Sequence, residues 1–260
     1  MQPTGRDSVC VMLLGRSAGH VLQLWNSAPY WRSAHPYSGV AKFAFGRHSH
    51  EFAEYVHSLM LLRKAQPTDD LITELAQVEE AGEKLSTHEL IATCVLLLNA
   101  GHEASVNGFG NGMVAAHQNH SQWELLQKKP EEVSSTALEE FIRFDAPLQF
   151  FERTATSDTE IGGVEVKQGQ KIVSLLGSAN RDEEVFKDAT KMDITRDPNP
   201  HIGFGAGIHF CIGAPLARLE MGISLPELFK RFPQMELEEN PVRRQTFSLR
   251  GYEAVPARIS

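Results

Sequence analysis

The sequence predicts a mainly helical chain with small β elements, and three observations carry that expectation. From Arg47 onward most apolar residues recur at a helical spacing, as in HEFAEYVHSLMLLRK. The longest such run opens with Ser86 and has Glu89 three residues on, a capping box. The strand-like pieces FFERTATS and EIGGVEVKQGQKIVSLLG stand together, with Gly162-Gly163 and Gln168-Gly169 marking turns.

The elements follow in order. Residues 1–45 hold short apolar pieces, aromatics and turn residues without a sustained period. Residues 50–64 then place Phe52, Tyr55, Val56 and Leu59 on one stripe. QPTDD breaks that helix, and Thr68 or Asp69 is expected to cap the next, DDLITELAQVEE. The run from Lys84 to Gln118 stays apolar for eight or nine turns and predicts one long central helix. Gly101 lies inside it, at a cost of about 1 kcal/mol relative to alanine, which invites a packing or functional reason. HSQWELLQKK is a short helix ended by Pro130, and SSTALEEFIRFD is expected to start on a serine cap. After the strands, residues 180–202 are polar and aperiodic and read as a long ordered loop, a feature usually kept for function. A helix is expected over about Cys211 to Arg231, and TFSLRG alternates as a last strand.

Bulk composition narrows the function. With 42% hydrophobic and 22% charged residues in 260, the chain is long enough to bury a large core. A net charge of -8 and a pI near 5.8 argue against a nucleic-acid binder and against charge-driven docking on an anionic membrane. Three cysteines leave at least one unpaired, which fits a reducing cytoplasm. The opening residues do not make a convincing signal peptide, and no apolar run reaches membrane-spanning length. The expectation is a soluble cytosolic protein.

One cysteine stands in an unusual setting. FGAGIHFCIG places Cys211 among Gly205, Gly207 and Gly213, just before a helical run. Glycines allow positive φ and close approach of backbone to a flat or bulky ligand. A helix N-terminus favours thiolate over thiol. Such a thiolate is a nucleophile, with His209 as its base, or a metal ligand; a plain buried cysteine is the third possibility. A single cysteine without a Cys-x-x-Cys pair does not make a usual zinc site. It suits a metal whose other ligands come from a cofactor, as in thiolate-held haem.

FGAGIHFCIG resembles the haem-binding loop of the cytochrome P450 family, with Phe204, Gly205, Gly207, His209, Cys211 and Gly213 all matching. EEFIR carries Glu140 and Arg143, similar to the family's buried Glu-x-x-Arg pair, and the i, i+3 spacing puts both on one helix face. RTAT supplies Arg153 at a position that commonly pairs with a haem propionate. ANRD, NPHIGFG with His201, and LRGYEAVPARI look like the soluble bacterial branch, and LLLNAGHEAS resembles the distal-helix motif. The resemblance covers about residues 45–260. It implies the cytochrome P450 fold, mainly α with small β-sheets at the edge. It implies an atypical lead-in over residues 1–45 and a haem domain over residues 46–260.

By the same resemblance Cys211 ligates the iron of haem b (iron protoporphyrin). Arg153, His209 and His201 then neutralise its propionates. The activity implied is a monooxygenase that puts one atom of O₂ into a C–H bond of a small organic substrate. Its electrons come from a separate ferredoxin- or flavodoxin-type donor, met by basic side chains such as Arg218, Lys187 and Lys191.

Three departures stand out. Ala104 replaces the family's threonine after the acid Glu103, so Ser105, a bound water or a substrate hydroxyl is expected to relay protons, with Gly101 opening the helix for O₂. Lys191 stands where an arginine is expected to join the Glu140–Arg143 pair, with Arg196 as the compensating residue. Roughly the N-terminal third of a family member has no counterpart here. The alternatives are a truncated, non-catalytic haem-binding remnant and, as a minor one, an α/β hydrolase using Ser17 in the Gly15-x-Ser17-x-Gly19 pattern.

Overall fold

The computed structural model describes residues 39–77, 79–80, 83–238 and 240–259. The Gly15-x-Ser17-x-Gly19 pattern and most of the expected lead-in lie outside the described residues. The chain divides into two compact units between Glu103 and Ala104.

In the first unit, helix α1 spans Gly39–Ala65, beginning before the Arg47 start that periodicity suggested. Gly46 reads as a break, but one glycine costs a helix only about 1 kcal/mol, which neighbouring turns absorb. Helix α2 is Leu71–Gln77. Its cap is Asp70, not Thr68 or Asp69: the Asp70 carboxylate accepts the Thr73 N–H at 2.9 Å. The chain does not continue helically to residue 80 but forms a small antiparallel pair, β1 (Glu79–Glu80) with β2 (Glu83–Lys84). Val56, Leu59, Met60, Ile72, Leu90 and Cys94 form this unit's core, with Phe52 and Tyr55 packed against it.

Helix α3 runs Thr87–Gln118 and belongs to both units. Its capping box is formed: Ser86 N–H donates to Glu89 Oε2 at 2.8 Å, and Glu89 N–H donates to Ser86 Oγ at 3.3 Å.

In the second unit, α4 is His120–Lys128 and α5 is Pro130–Phe144. Helix α5 therefore starts four residues before the expected serine cap. Pro130 both ends α4 and occupies a first-turn position of α5, where its missing N–H costs nothing, and Glu131 and Glu132 face the positive end of the dipole. Helix α6 is Leu176–Ala179 and α7 is Ala214–Arg231, so Cys211 precedes α7 rather than opening it. The core gathers Trp123, Leu126, Ala137, Phe141, Leu225 and Phe229, with Trp123 edge-on to Phe229 at 5.1 Å. A Cβ on Gly112 would lie 2.0 Å from Phe141 Cγ, so glycine is what lets α3 and α5 approach this closely.

The sheets are small. Strand β3 (Phe151–Thr154) pairs antiparallel with β6 (Lys171–Ser174), Arg153 opposite Ile172. Between them β4 (Thr159–Ile161) and β5 (Val164–Val166) form a hairpin turned by Gly162 and Gly163 at φ 57° and 80°. TFSLRG gives one isolated bridge, Leu148 to Leu249, not a strand. The last pair is β7 (Glu236–Leu237) with β8 (Ala257–Arg258). Residues 180–202 are the ordered loop expected, pinned by buried Phe186, Ala189, Met192 and Ile194. The architecture is mainly α with small sheets, as predicted. Among the described residues no helix is long and apolar enough to cross a membrane.

Candidate functional site

Of the two cysteines among the described residues, Cys94 is buried and Cys211 is exposed. Burial pushes the Cys94 thiol up to about 11, which makes it inert. Cys211 sits at the end of a backbone-built loop. Gly205 and Gly207 take φ of 75° and 65°, which L side chains rarely adopt. A single 3-10 turn spans Gly207–His209. The Cys211 N–H donates to Phe204 O at 2.9 Å, closing the loop, and the Cys211 carbonyl accepts the Ala214 N–H at 3.1 Å, leading into α7. Gly213 is the N-cap of α7, and its Cα hydrogens face Cys211 Sγ, which would lie 3.8 Å from a Cβ there.

The side chains around the thiol are apolar and uncovered. Ile208 is 97% exposed and Ile212 87%, with Phe210 also in the open. A soluble protein does not leave such a cluster bare without a ligand or partner to cover it. A Cβ on Gly207 would meet nothing within 4 Å. His209 is exposed on the same loop, and no hydrogen bond joins it to Cys211, so the nucleophile-and-base arrangement is not formed.

Behind the loop lies a fully buried ion pair. Arg143 Nε and Nη2 meet Glu140 Oε2 and Oε1, both at 2.7 Å, with neither side chain exposed. Arg143 Nη1 also donates to the carbonyls of Asn180 and Ala189, and Nη2 to that of Lys191. Glu140 further accepts the Asp193 N–H, Arg196 Nε at 3.2 Å and Asn199 Nδ2 at 3.1 Å. The second cation on Glu140 is therefore Arg196, not Lys191. The Lys191 ammonium is exposed and pairs with Asp188 at 2.9 Å, and only its carbonyl enters the network. Arg196 prevails because its planar fork reaches Glu140 and the carbonyls of Lys187 and Lys191 together. Arg196 is thus the compensating residue that the sequence suggested.

A second ionic cluster stands beside the first. Glu139 accepts Arg218 Nε at 2.6 Å and Nη2 at 2.9 Å, and His201 Nε2 at 2.8 Å. Burial works to raise the Glu139 carboxyl, but the bonds from Arg218 and His201 outweigh it and hold it at about 2. His201 is almost fully enclosed and already partnered, while Arg153 is exposed on β3 with Nη1 on Glu152 O. Arg218 is half-buried in this pairing, and Lys187 and Lys191 are exposed. Gly101 and Glu103 lie in the first unit, Ala104 and Ser105 at the start of the second.

Sequence reasoning missed Glu139 and the pairing of Arg218. The available signals were the Glu139-Glu140 doublet and a lone arginine in the apolar run APLARLEMGI.

Comparisons with known proteins match this loop and this ion pair to one family. The family model "Cytochrome P450" matches residues 113–249. The putative cytochrome P450 YjiB of Bacillus subtilis (strain 168) is 45% identical over 186 residues, covering 72% of this chain and 47% of that protein. The polyketide biosynthesis cytochrome P450 PksS of the same strain is 42% identical over 214 residues, 81% of this chain and 53% of that protein. The solved structure of PksS superposes with a TM-score of 0.89 at 35% identity, over 98% of this chain and 66% of that one. The chain spans about half the length of the curated relatives it matches. With the glycine-shaped cysteine loop, the buried Glu140–Arg143 pair, the helical fold and these matches in agreement, the chain belongs to the cytochrome P450 family.

Proposed function

We propose that residues 46–260 are the haem domain of a haem-thiolate monooxygenase. It inserts one oxygen atom of O₂ into a C–H bond of a small organic substrate, with electrons from a separate ferredoxin- or flavodoxin-type donor. The observation that carries the reading is the exposed Cys211 thiol at the centre of a bare apolar loop. The residues fit haem b. The sulfur is a soft, anionic donor, Ile208 and Ile212 offer apolar surface to a flat ring, and open space at Gly207 admits its close approach. When bound, the haem supplies the activation of O₂.

The chain's own residues do the rest. Phe204, Gly205, Gly207 and Gly213 shape the loop and hold the Cys211 N–H. Arg153 and His209, both exposed, serve as hydrogen-bond donors to the propionates, Arg153 with its charge as well. His201, engaged with Glu139, acts on the loop rather than on a propionate. Glu140 and Arg143 brace it from beneath. On α3, Gly101 makes room and Glu103 supplies an acid. Ala104 carries no exchangeable proton, and the Ser105 hydroxyl takes the relay that threonine gives elsewhere in the family. The reading places the chain in the cytoplasm, on its cysteine usage and charge.

The ferrous protein with carbon monoxide is expected to absorb at the long wavelength of a thiolate-ligated haem. Cys211→Ala is expected to abolish that band, and an unchanged Soret spectrum in the variant would overturn the assignment. For the relay, Ser105→Ala is expected to lower product formed per reduced carrier consumed, and unchanged coupling would remove Ser105 from its role. The second reading is haem binding without turnover, favoured by Ala104, whose methyl can relay no proton. It predicts the same long-wavelength band with no oxygenated product.

A further inference from the structure

The Glu139 cluster has no part in propionate binding or oxygen chemistry, yet it is built with unusual care. Glu139 and Glu140 are neighbours on α5, so their side chains leave the helix about 100° apart. Glu140 turns to Arg143 and Arg196, and Glu139 to His201 and Arg218. Arg218 meets Glu139 through a two-point fork, the arrangement that fixes direction as well as charge. His201 is locked in one tautomer. Its Nδ1 accepts the Gly203 N–H at 3.1 Å, so its proton is on Nε2, donated to Glu139. Gly203 itself cannot shift toward α5, since even a Cβ there would lie 2.4 Å from Ile142 Cγ2.

From this cluster three contacts lead to the cysteine. The Arg218 guanidinium covers the Phe204 ring, 4.8 Å from its centroid. That ring also meets His201 at 5.7 Å and Phe210 edge-on at 6.4 Å. The Phe204 carbonyl then accepts the Cys211 N–H at 2.9 Å. Phe204 is thus held on one face by a cation that the Glu139 carboxylate orients, and its backbone holds the cysteine.

We propose that Glu139 and Arg218, braced by His201, are positioning residues for Cys211. They clamp Phe204, and through its carbonyl they keep the thiolate in the orientation that iron ligation requires. The proposal rests on the haem-thiolate reading above. Neither residue reaches the metal, and the fork carries the effect because it fixes the plane of the Arg218 guanidinium over the Phe204 ring.

The test uses the haem-loaded full chain as parent, Arg218→Met, Arg218→Lys and Glu139→Gln. Each is reduced, exposed to carbon monoxide and followed for decay of the long-wavelength band into the shorter-wavelength band of a haem that has lost its thiolate. Arg218→Met is expected to speed that decay about tenfold, the lower end of what outer-shell partners contribute at metal sites. Glu139→Gln changes it in the same direction by less. Arg218→Lys keeps a charge but no fork, and it should decay closer to the Met variant than to the parent. Parent-like lifetimes in both Arg218→Met and Glu139→Gln would overturn the clamp, and so would a parent-like Arg218→Lys, because charge alone would then suffice. Should Arg218→Met not fold by circular dichroism, Glu139→Gln and Arg218→Lys decide the matter. A parent with no long-wavelength band overturns the haem reading and the clamp with it, an outcome distinct from a banded parent whose variants do not differ.

Discussion

Glu139 shows how one side chain couples pH to the integrity of the loop. Its carboxyl is held at about 2 against an ordinary 4.5, so the folded chain binds this proton more weakly than the unfolded chain does. The stabilisation is complete above about pH 4.5 and fades as pH falls toward about 2. Glu139→Gln is therefore expected to unfold at lower denaturant than the parent at pH 7, with the gap narrowing steadily as the buffer is taken from pH 5 toward pH 3. A gap independent of pH would mean that the carboxylate charge is not what Arg218 and His201 stabilise. Asp70 behaves alike in the first unit. Burial opposes its ionisation, but Arg63, the Thr73 N–H and the hydroxyls of Thr68 and Thr73 together lower it.

At the scale of elements, two glycines on helices are expected to respond in opposite directions to the same substitution. Gly112 on α3 packs directly on Phe141 of α5, with 2.0 to 2.4 Å between its Cβ position and three atoms of that side chain. Gly112→Ala overpacks the contact and should cost about 1–3 kcal/mol, read as a lower urea midpoint. Gly222 lies inside α7 with nothing within 4 Å of its Cβ position. Gly222→Ala should raise the midpoint, by about 0.5–1 kcal/mol, because alanine restricts the unfolded chain and suits a helix. Equal effects of the two substitutions would mean that helix propensity, not packing, governs both sites. The helices themselves were largely legible. The α3 capping box and the stripe of α1 depend on residues three or four apart, and such neighbours decide local backbone geometry unaided. Their starts were less so. Asp70 took the α2 cap from Thr68 and Asp69 because adjacent residues could each satisfy the same free N–H groups, and α5 opened at Pro130, without a side-chain cap, ahead of two serines because proline's fixed φ suits a first helical turn.

At the scale of the molecule, the second unit is tied together by two neighbouring carboxylates, buried Glu140 and part-exposed Glu139. Glu140 collects Arg143, Arg196, Asn199 and the Asp193 N–H, and ties the 180–202 loop to α5. Arg196→Lys keeps the charge but loses the fork that also reaches the carbonyls of Lys187 and Lys191. It is expected to cost about 0.5–1.5 kcal/mol, since the fork's bonds to these carbonyls are lost, and to speed proteolysis within residues 187–199. An unchanged digestion rate there would show that Arg143 alone secures the loop.

What the sequence by itself determined were the features written in contiguous residues: the FGAGIHFCIG loop, the Glu140–Arg143 spacing, the long capped helix and the glycine-turned hairpins. Each is decided by local geometry, positive φ at glycine or an i, i+3 face, and so it reads directly from neighbouring letters. Only the tertiary structure decided which basic residue joined Glu140, and that Glu139, His201 and Arg218 meet across 62 and 79 positions of chain. The physical reason is that an arginine's partner is chosen by the direction in which a packed helix or loop presents it. Before folding, Lys191 and Arg196 are equally plausible cations, and Arg218 is simply another charge on a helix.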